Sequence, residues 1–247
     1  MAATLMLAKT EAKLFIRDPL ALFFGLVFPV VLLVALGLFY PGFDEPSADL
    51  DGVRYLDIYA PVVLVLGLAT LGLVTLPPIL GTYRQFGILR RLRTTPVPPS
   101  RLLLAQLAVH LSVAIVAAAI TILVAATVLD VPLPENPVWF AISFLLAAAS
   151  VFAIGLLVGA VARTSTAAVA IGMGIYFPLL FFAGLWIPRP LMSDGLLAVS
   201  DLTPLGSAVQ ALEDSWFGAG PSGMNLLVMA AYAVAVGLIA VRVFRWE

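Results

Sequence analysis

The chain has 247 residues, 62% of them hydrophobic and 11% charged, with a mean hydropathy of +1.11; a soluble domain carries about 25% charged residues. Such a composition belongs to a polypeptide built for lipid, and a formal net charge of -1 argues against nucleic acid as a partner. The absence of cysteine excludes disulfides and thiolate chemistry, and one histidine leaves no His/Cys cluster for a metal site.

Residues 4–17 precede the first apolar run. Leu5, Ala8, Ala12, Phe15 and Ile16 share one helical face, with Lys9, Lys13 and Arg17 recurring beside it. This pattern predicts a helix lying in the headgroup plane, with a merely solvated helix as the alternative. Asp18-Pro19 then supplies an N-cap and a first-turn proline. Residues 20–40 are long enough to cross a hydrocarbon core of about 30 Å and lack a small-residue cleavage pattern, which predicts a retained span.

Further spans are expected at about 58–82, 102–129, 138–162, 166–187 and 224–241. The loop before the second carries Asp44, Glu45, Asp49, Asp51 and Asp57 against a lone Arg54. Pro61 and Pro77-Pro78 fall inside that span, where proline frees backbone carbonyls for neighbouring helices to satisfy. Between spans five and six, residues 188–223 are too interrupted to cross. There Leu205, Ala208, Val209, Leu212 and Trp216 share one face, which predicts a re-entrant or external helical pair.

The segment 83–100 stands apart. Tyr83 to Gln106 holds Arg84, Arg90, Arg91, Arg93 and Arg101 and no acid. Phe86, Leu89 and Leu92 form a narrow apolar stripe with Arg90 and Arg91 turned away from it, and Thr94-Thr95-Pro96 ends the short helix. With the N-terminus in the cytosol, eleven of the thirteen basic residues fall on the inner face and only Arg54 and Arg189 outside. The Lys/Arg bias therefore predicts six spans with both termini cytoplasmic.

Within the spans His110 is essentially the only ionisable group. It is either a hydrogen-bonded packing residue or a relay, and an ion-coupled transporter needs intramembrane charge. No nucleophile elbow, His-Glu-x-x-His or paired aspartate occurs. The only lysines, Lys9 and Lys13, lie in no phosphate-binding loop. No catalytic residue is assigned, and energy for uphill transport would have to come from another polypeptide.

The run Tyr83-Arg84-Gln85-Phe86-Gly87-Ile88-Leu89-Arg90-Arg91-Leu92-Arg93-Thr94-Thr95-Pro96-Val97 resembles the cytoplasmic segment after the second span of type-2 ABC transporter permeases. The similarity is greatest to the drug- and antibiotic-export branch typified by daunorubicin-resistance permeases. Asp57-Ile58-Tyr59-Ala60-Pro61 is similar to that family's entry to span two. Ala183-Gly184-Leu185-Trp186-Ile187-Pro188, Pro204-Leu205 and Ala208 to Leu212 are similar to its stretch after span five. Gln85 stands where the family commonly has an acid, Ile88 where it has Thr, and Val62 where it has Gly.

The resemblance implies an all-α integral membrane protein with an interfacial helix, a cytoplasmic coupling helix and an external helical segment. It also implies a permease subunit in the cell membrane that exports a hydrophobic or amphipathic substrate. ATP and Mg would be bound by a pair of separate ABC ATPase subunits, and the chain itself would carry no cofactor. Arg84, Gln85, Phe86, Gly87, Leu89, Arg90, Arg91, Leu92 and Arg93 are the expected ATPase contact; the arginines alternatively serve topology and lipid. A second permease chain, identical to this one, would complete the pathway. Gly172, Gly174, Ala183 and Gly184 suit either a dimer seam or internal packing. Tyr176, Phe177, Phe181, Phe182 and Trp186 either line an apolar substrate path or face lipid. The alternatives in other classes are a secondary transporter, a lipid-modifying membrane enzyme and a non-transporting component.

Overall fold

A computed structural model describes residues 2–50, 52–88, 91, 100–218 and 220–244. The N-terminal helix α1 (Ala2–Arg17) is followed by α2 (Pro19–Phe39), α3 (Tyr55–Gln85), α4 (Ser100–Val128), α5 (Pro137–Val161) and α6 (Ser165–Phe182). Two short helices, α7 (Asp194–Asp201) and α8 (Pro204–Phe217), precede the last span, α9 (Gly223–Val243). Among the described residues, α2, α3, α4, α5, α6 and α9 are the six helices long and apolar enough to cross a membrane. The architecture is an all-α, six-span bundle.

Burial sorts the spans. α3 and α5 form the centre, with 83% and 67% of their most apolar windows buried, whereas α2, α6 and α9 are each only 17% buried. The outer helices turn their remaining apolar side chains outward, which is stable in lipid and would not be in water.

Prolines and glycines explain how α3 meets its neighbours. Pro77 and Pro78 have no N–H to offer the Leu73 carbonyl, and the helix loosens into a π-turn over Thr70–Thr75. The Thr70 and Thr75 hydroxyls donate back to the carbonyls of Leu66 and Leu71 at 2.8 and 2.7 Å. Gly172 of α6 lies against the Leu73 carbonyl and Gly155 of α5 against that of Gly72, each so close that a Cβ would clash. Gly25, in the π-turn Phe23–Val27 of α2, packs on Leu71. The three spans therefore meet at the irregular part of α3. Gly174 has open space beside it, so the two glycines of α6 play different parts.

α6 ends at Phe182, short of residue 187. Gly184 takes φ +91, its N–H donates to Phe181 O at 3.1 Å, and Leu185 N–H donates to Leu180 O at 3.2 Å. This is a Schellman termination, which needs glycine at the left-handed position. Gly184 thus ends a helix.

The 188–223 segment closes the end of the bundle that carries the acidic loops. Leu205, Ala208, Val209, Leu212 and Trp216 are fully or almost fully buried, with α8 laid against α5, α3 and α9. Trp216 Nε1 donates to Pro132 O at 2.6 Å, which fastens α8 to the loop before α5. Arg189, 2% exposed, donates to Asp201 at 2.5 Å, to Gln210 at 3.1 Å and to the Ser200 hydroxyl, which itself donates to Phe182 O. Arg54 binds Asp57 through two nitrogens at 2.7 and 3.0 Å and Asp44 at 2.7 Å, and reaches Asp130 O at 3.0 Å. The two cations at this end are therefore structural clamps. Burial raises the Glu213 carboxyl to about 7, with Arg189 opposing the shift and Asp214 adding to it.

Candidate functional site

The basic segment emerges at the opposite end. α3 stops at Gln85 because Gly87 takes φ +66 and its N–H turns back to Arg84 O at 3.0 Å. The chain then re-enters helical bonding, with Arg91 N–H donating to Gly87 O at 3.1 Å. Phe86 is 67% exposed, and Gln85 and Arg91 are exposed beside it. Of the remaining expected contact residues, Leu89, Arg90, Leu92 and Arg93 lie outside the described residues, as does most of the expected apolar stripe.

Arg84, the first residue of the expected contact, reaches back onto the bundle. Its guanidinium donates to Ala162 O and to Gly159 O, 3.3 Å away, and sits 5.5 Å from the centroid of the Phe244 ring. The last carbonyls of α5 have no intrahelical partner, and a cation placed there satisfies them and matches the helix dipole. Arg84 ties the end of α3 to the ends of α5 and α9.

A buried polar cluster fixes the segment from its other side. Glu11 of α1 is 6% exposed. Its Oε2 accepts from the Tyr83 hydroxyl at 2.6 Å and from Gln106 Nε2 at 2.5 Å. Tyr83 lies on the stem entering the basic segment and Gln106 on the stem leaving it, so one carboxylate holds both. Burial raises the carboxyl of Glu11 above the usual range, opposed by the hydrogen bonds from Tyr83 and Gln106. Glu11 is absent from the sequence-based set of site residues, yet a signal existed: it falls at i+3 from Ala8 and i-4 from Phe15, on the apolar face itself. Correspondingly, Ile16, expected on that face, is 68% exposed while Phe15 is buried.

His110 is buried between the rings of Phe15 and Phe152, at 5.7 and 6.3 Å in edge-on geometry. Its Nδ1 donates to Gln106 O at 2.9 Å, and Nε2 has no hydrogen-bond partner among the described residues. This is the packing arrangement: two ring contacts and one backbone hydrogen bond hold the imidazole.

A cleft of about 500 Å³ opens between α2, α3 and α6 towards the acidic end. Tyr176, Phe177 and Trp186 line it, with Phe28, Leu32 and Tyr59 opposite. The Tyr176 hydroxyl is 3.0 Å from that of Thr70, at the start of the π-turn in α3, and Tyr59 donates to Leu185 O at 3.1 Å. Phe181 and Phe182 are not in the cleft wall; they pack edge-on against each other at 5.4 Å, half-buried. Of the five aromatic residues expected to share a path, the fold brings three together.

The model of a family described as ABC-2 type transporter matches residues 2–217, from α1 through α8. Comparison with curated proteins gives no match. With six apolar spans, a basic segment after the second and a family match over most of its length, the chain belongs to the ABC-2 type transporter membrane family.

Proposed function

We propose that this chain is the permease subunit of an ATP-driven exporter of hydrophobic or amphipathic compounds, a class that includes drugs and antibiotics. A separate ABC ATPase, holding ATP and Mg, docks on the basic segment. Both termini lie in the cytosol, on the side the Lys/Arg bias predicts, and the segment projects to the same side.

The observation that carries this reading is an exposed Phe86 on an anchored base. A large aromatic left 67% exposed next to exposed Gln85 and Arg91 has the composition of an interface anchor. The stems under it are fixed by Glu11 and Arg84, so displacement of the segment would be passed to α1, α3 and α5. Two copies of the chain, joined across the outward faces of α2 and α6, would bring their aromatic clefts to a shared pathway.

The test is co-purification. The permease, expressed with a candidate ATP-binding-cassette subunit, should retain that subunit, and Phe86→Asp should release it while leaving membrane insertion unchanged. Retention by the variant at the wild-type level would contradict the docking role.

A further inference from the structure

A groove of about 300 Å³ runs between α1 and α4, at the lower end of the roughly 300–1,000 Å³ that small-molecule sites occupy. Small residues make its trough: Ala8 and Ala12 on α1 and Ala108 on α4 leave space that larger side chains would fill. Ile16, Val109 and Val113 supply apolar walls, and no acid lines it. Ile16 is 68% exposed, a large apolar side chain at the rim of an open groove.

The groove has a polarity. Gln106 meets Glu11 at 2.5 Å, and four residues further along each helix His110 meets Phe15 with ring centroids 5.7 Å apart. The two helices therefore run side by side in the same direction. Lys9, which lines the groove, stands at the end nearer the basic segment, and Ile16 and Val113 stand at the end nearer the middle of the bundle. Lys13 follows Lys9 one turn on along the same side of α1, and both are exposed. Glu11 is turned to the other side of the helix, where Tyr83 and Gln106 hold it. Positive charge thus lies at one end of the groove and hydrocarbon at the other.

We propose that this groove seats one anionic phospholipid, its phosphate at Lys9 and Lys13 and one acyl chain laid along Ala12, Ile16 and Val113. A zwitterionic lipid would fill the apolar length equally well, but its own cation would offset the attraction to the lysines. A soluble anion would leave the apolar wall uncovered. The lipid is a resident ligand of the fold and not cargo, so the inference goes beyond the exporter reading and does not depend on it. Because α1 also carries Glu11, which holds both stems of the basic segment, a lipid seated on α1 would steady the base of that segment.

Phosphatidylglycerol and phosphatidylcholine with identical acyl chains separate charge from apolarity. Native mass spectrometry of the purified full-length permease, titrated with either lipid in neutral maltoside micelles, counts bound lipids and reads their affinity. The first phosphatidylglycerol should bind at least about tenfold more tightly than phosphatidylcholine. Lys9→Gln should weaken it about fivefold, the share of one lysine beside anionic lipid, and leave phosphatidylcholine unchanged. Lys9→Gln combined with Lys13→Gln should bring the two lipids level. Ala12→Phe on one wall and Ala108→Phe on the other fill the groove without changing its charge, and each should weaken both lipids; the exposed position 108 guards against misfolding of the first. Equal affinity for the two lipids, a preference that survives loss of both lysines, or binding indifferent to both phenylalanine variants would overturn the proposal. Displacement of the lipid by glycerol phosphate at equal concentration would reassign the lysines to a soluble phosphate. A wild-type dimer that both phenylalanine variants dissociate would assign the groove to a second copy, and either result overturns the proposal. Neither ATPase nor cargo is present in this assay, so failure here leaves the docking role standing, and failure of docking leaves the lipid result standing.

Discussion

Gly172 and Gly174 sit one turn-fragment apart on α6, yet substitution by alanine should separate them sharply. A methyl at 172 would fall under 3.0 Å from the Leu73 carbonyl oxygen, where ordinary contact begins near 3.4 Å. The neighbour is backbone, so the strain is relieved only by moving α6 away from α3. That movement also stretches the 3.0 Å hydrogen bond between Tyr176 and Thr70. Overpacking of this kind costs about 1–3 kcal/mol. At roughly 2–4 °C per kcal/mol for a chain of this size, a cost near the middle of that range, about 2 kcal/mol, means Gly172→Ala should lower the unfolding midpoint of the purified permease by about 4–8 °C. Gly174→Ala meets nothing within 4 Å and gains helix propensity, so its midpoint should hold or rise by about 1–3 °C. Thermal unfolding in maltoside micelles, followed by tryptophan fluorescence, reads both. Equal midpoints for the two variants would refute the close approach of α6 to the π-turn.

Two further outcomes follow from the acidic end. Arg189→Lys keeps the charge but cannot reproduce a fork that reaches Asp201, Ser200 and Gln210 at once, so it should destabilise by about 2–4 kcal/mol in the same unfolding assay. Glu213, with its folded-state carboxyl at about 7 against 4.5 unperturbed, binds a proton more tightly folded than unfolded. The stabilisation is thus present below about 4.5 and lost as pH rises to about 7. Glu213→Gln should flatten that part of the pH–stability profile and raise the midpoint at pH 8, by about 2–4 °C for ~1 kcal/mol; an unchanged slope between pH 5 and 7 would contradict it.

Hydropathy and Lys/Arg placement made the six spans and the isolation of the basic segment legible, because the lipid solvent imposes long apolar runs and leaves few alternatives. Contacts between distant elements were not legible. Gly172 and Gly174 look alike in sequence, and only the Pro77-freed Leu73 carbonyl on another span distinguishes them. Arg84 reads as one more arginine of a basic patch until α5 brings its C-terminal carbonyls alongside. Arg189 reads as a stray external cation, because its partners lie on the later helices α7 and α8. Glu11 was within reach: a 3.6-residue count places an acid at the centre of the apolar face of α1, and a charge in that position calls for partners.

Crosslinking tests most directly whether Phe86 marks a docking surface for an ATPase. The native chain has no cysteine, so Phe86→Cys and, on the acidic loop, Val53→Cys each give a single thiol with no background. Treated in membranes with a bifunctional thiol–amine reagent, Phe86→Cys should yield a permease–ATPase adduct and Val53→Cys none. An adduct from Val53→Cys, or none from Phe86→Cys while the ATPase still co-purifies, would place the partner elsewhere and refute docking at Phe86.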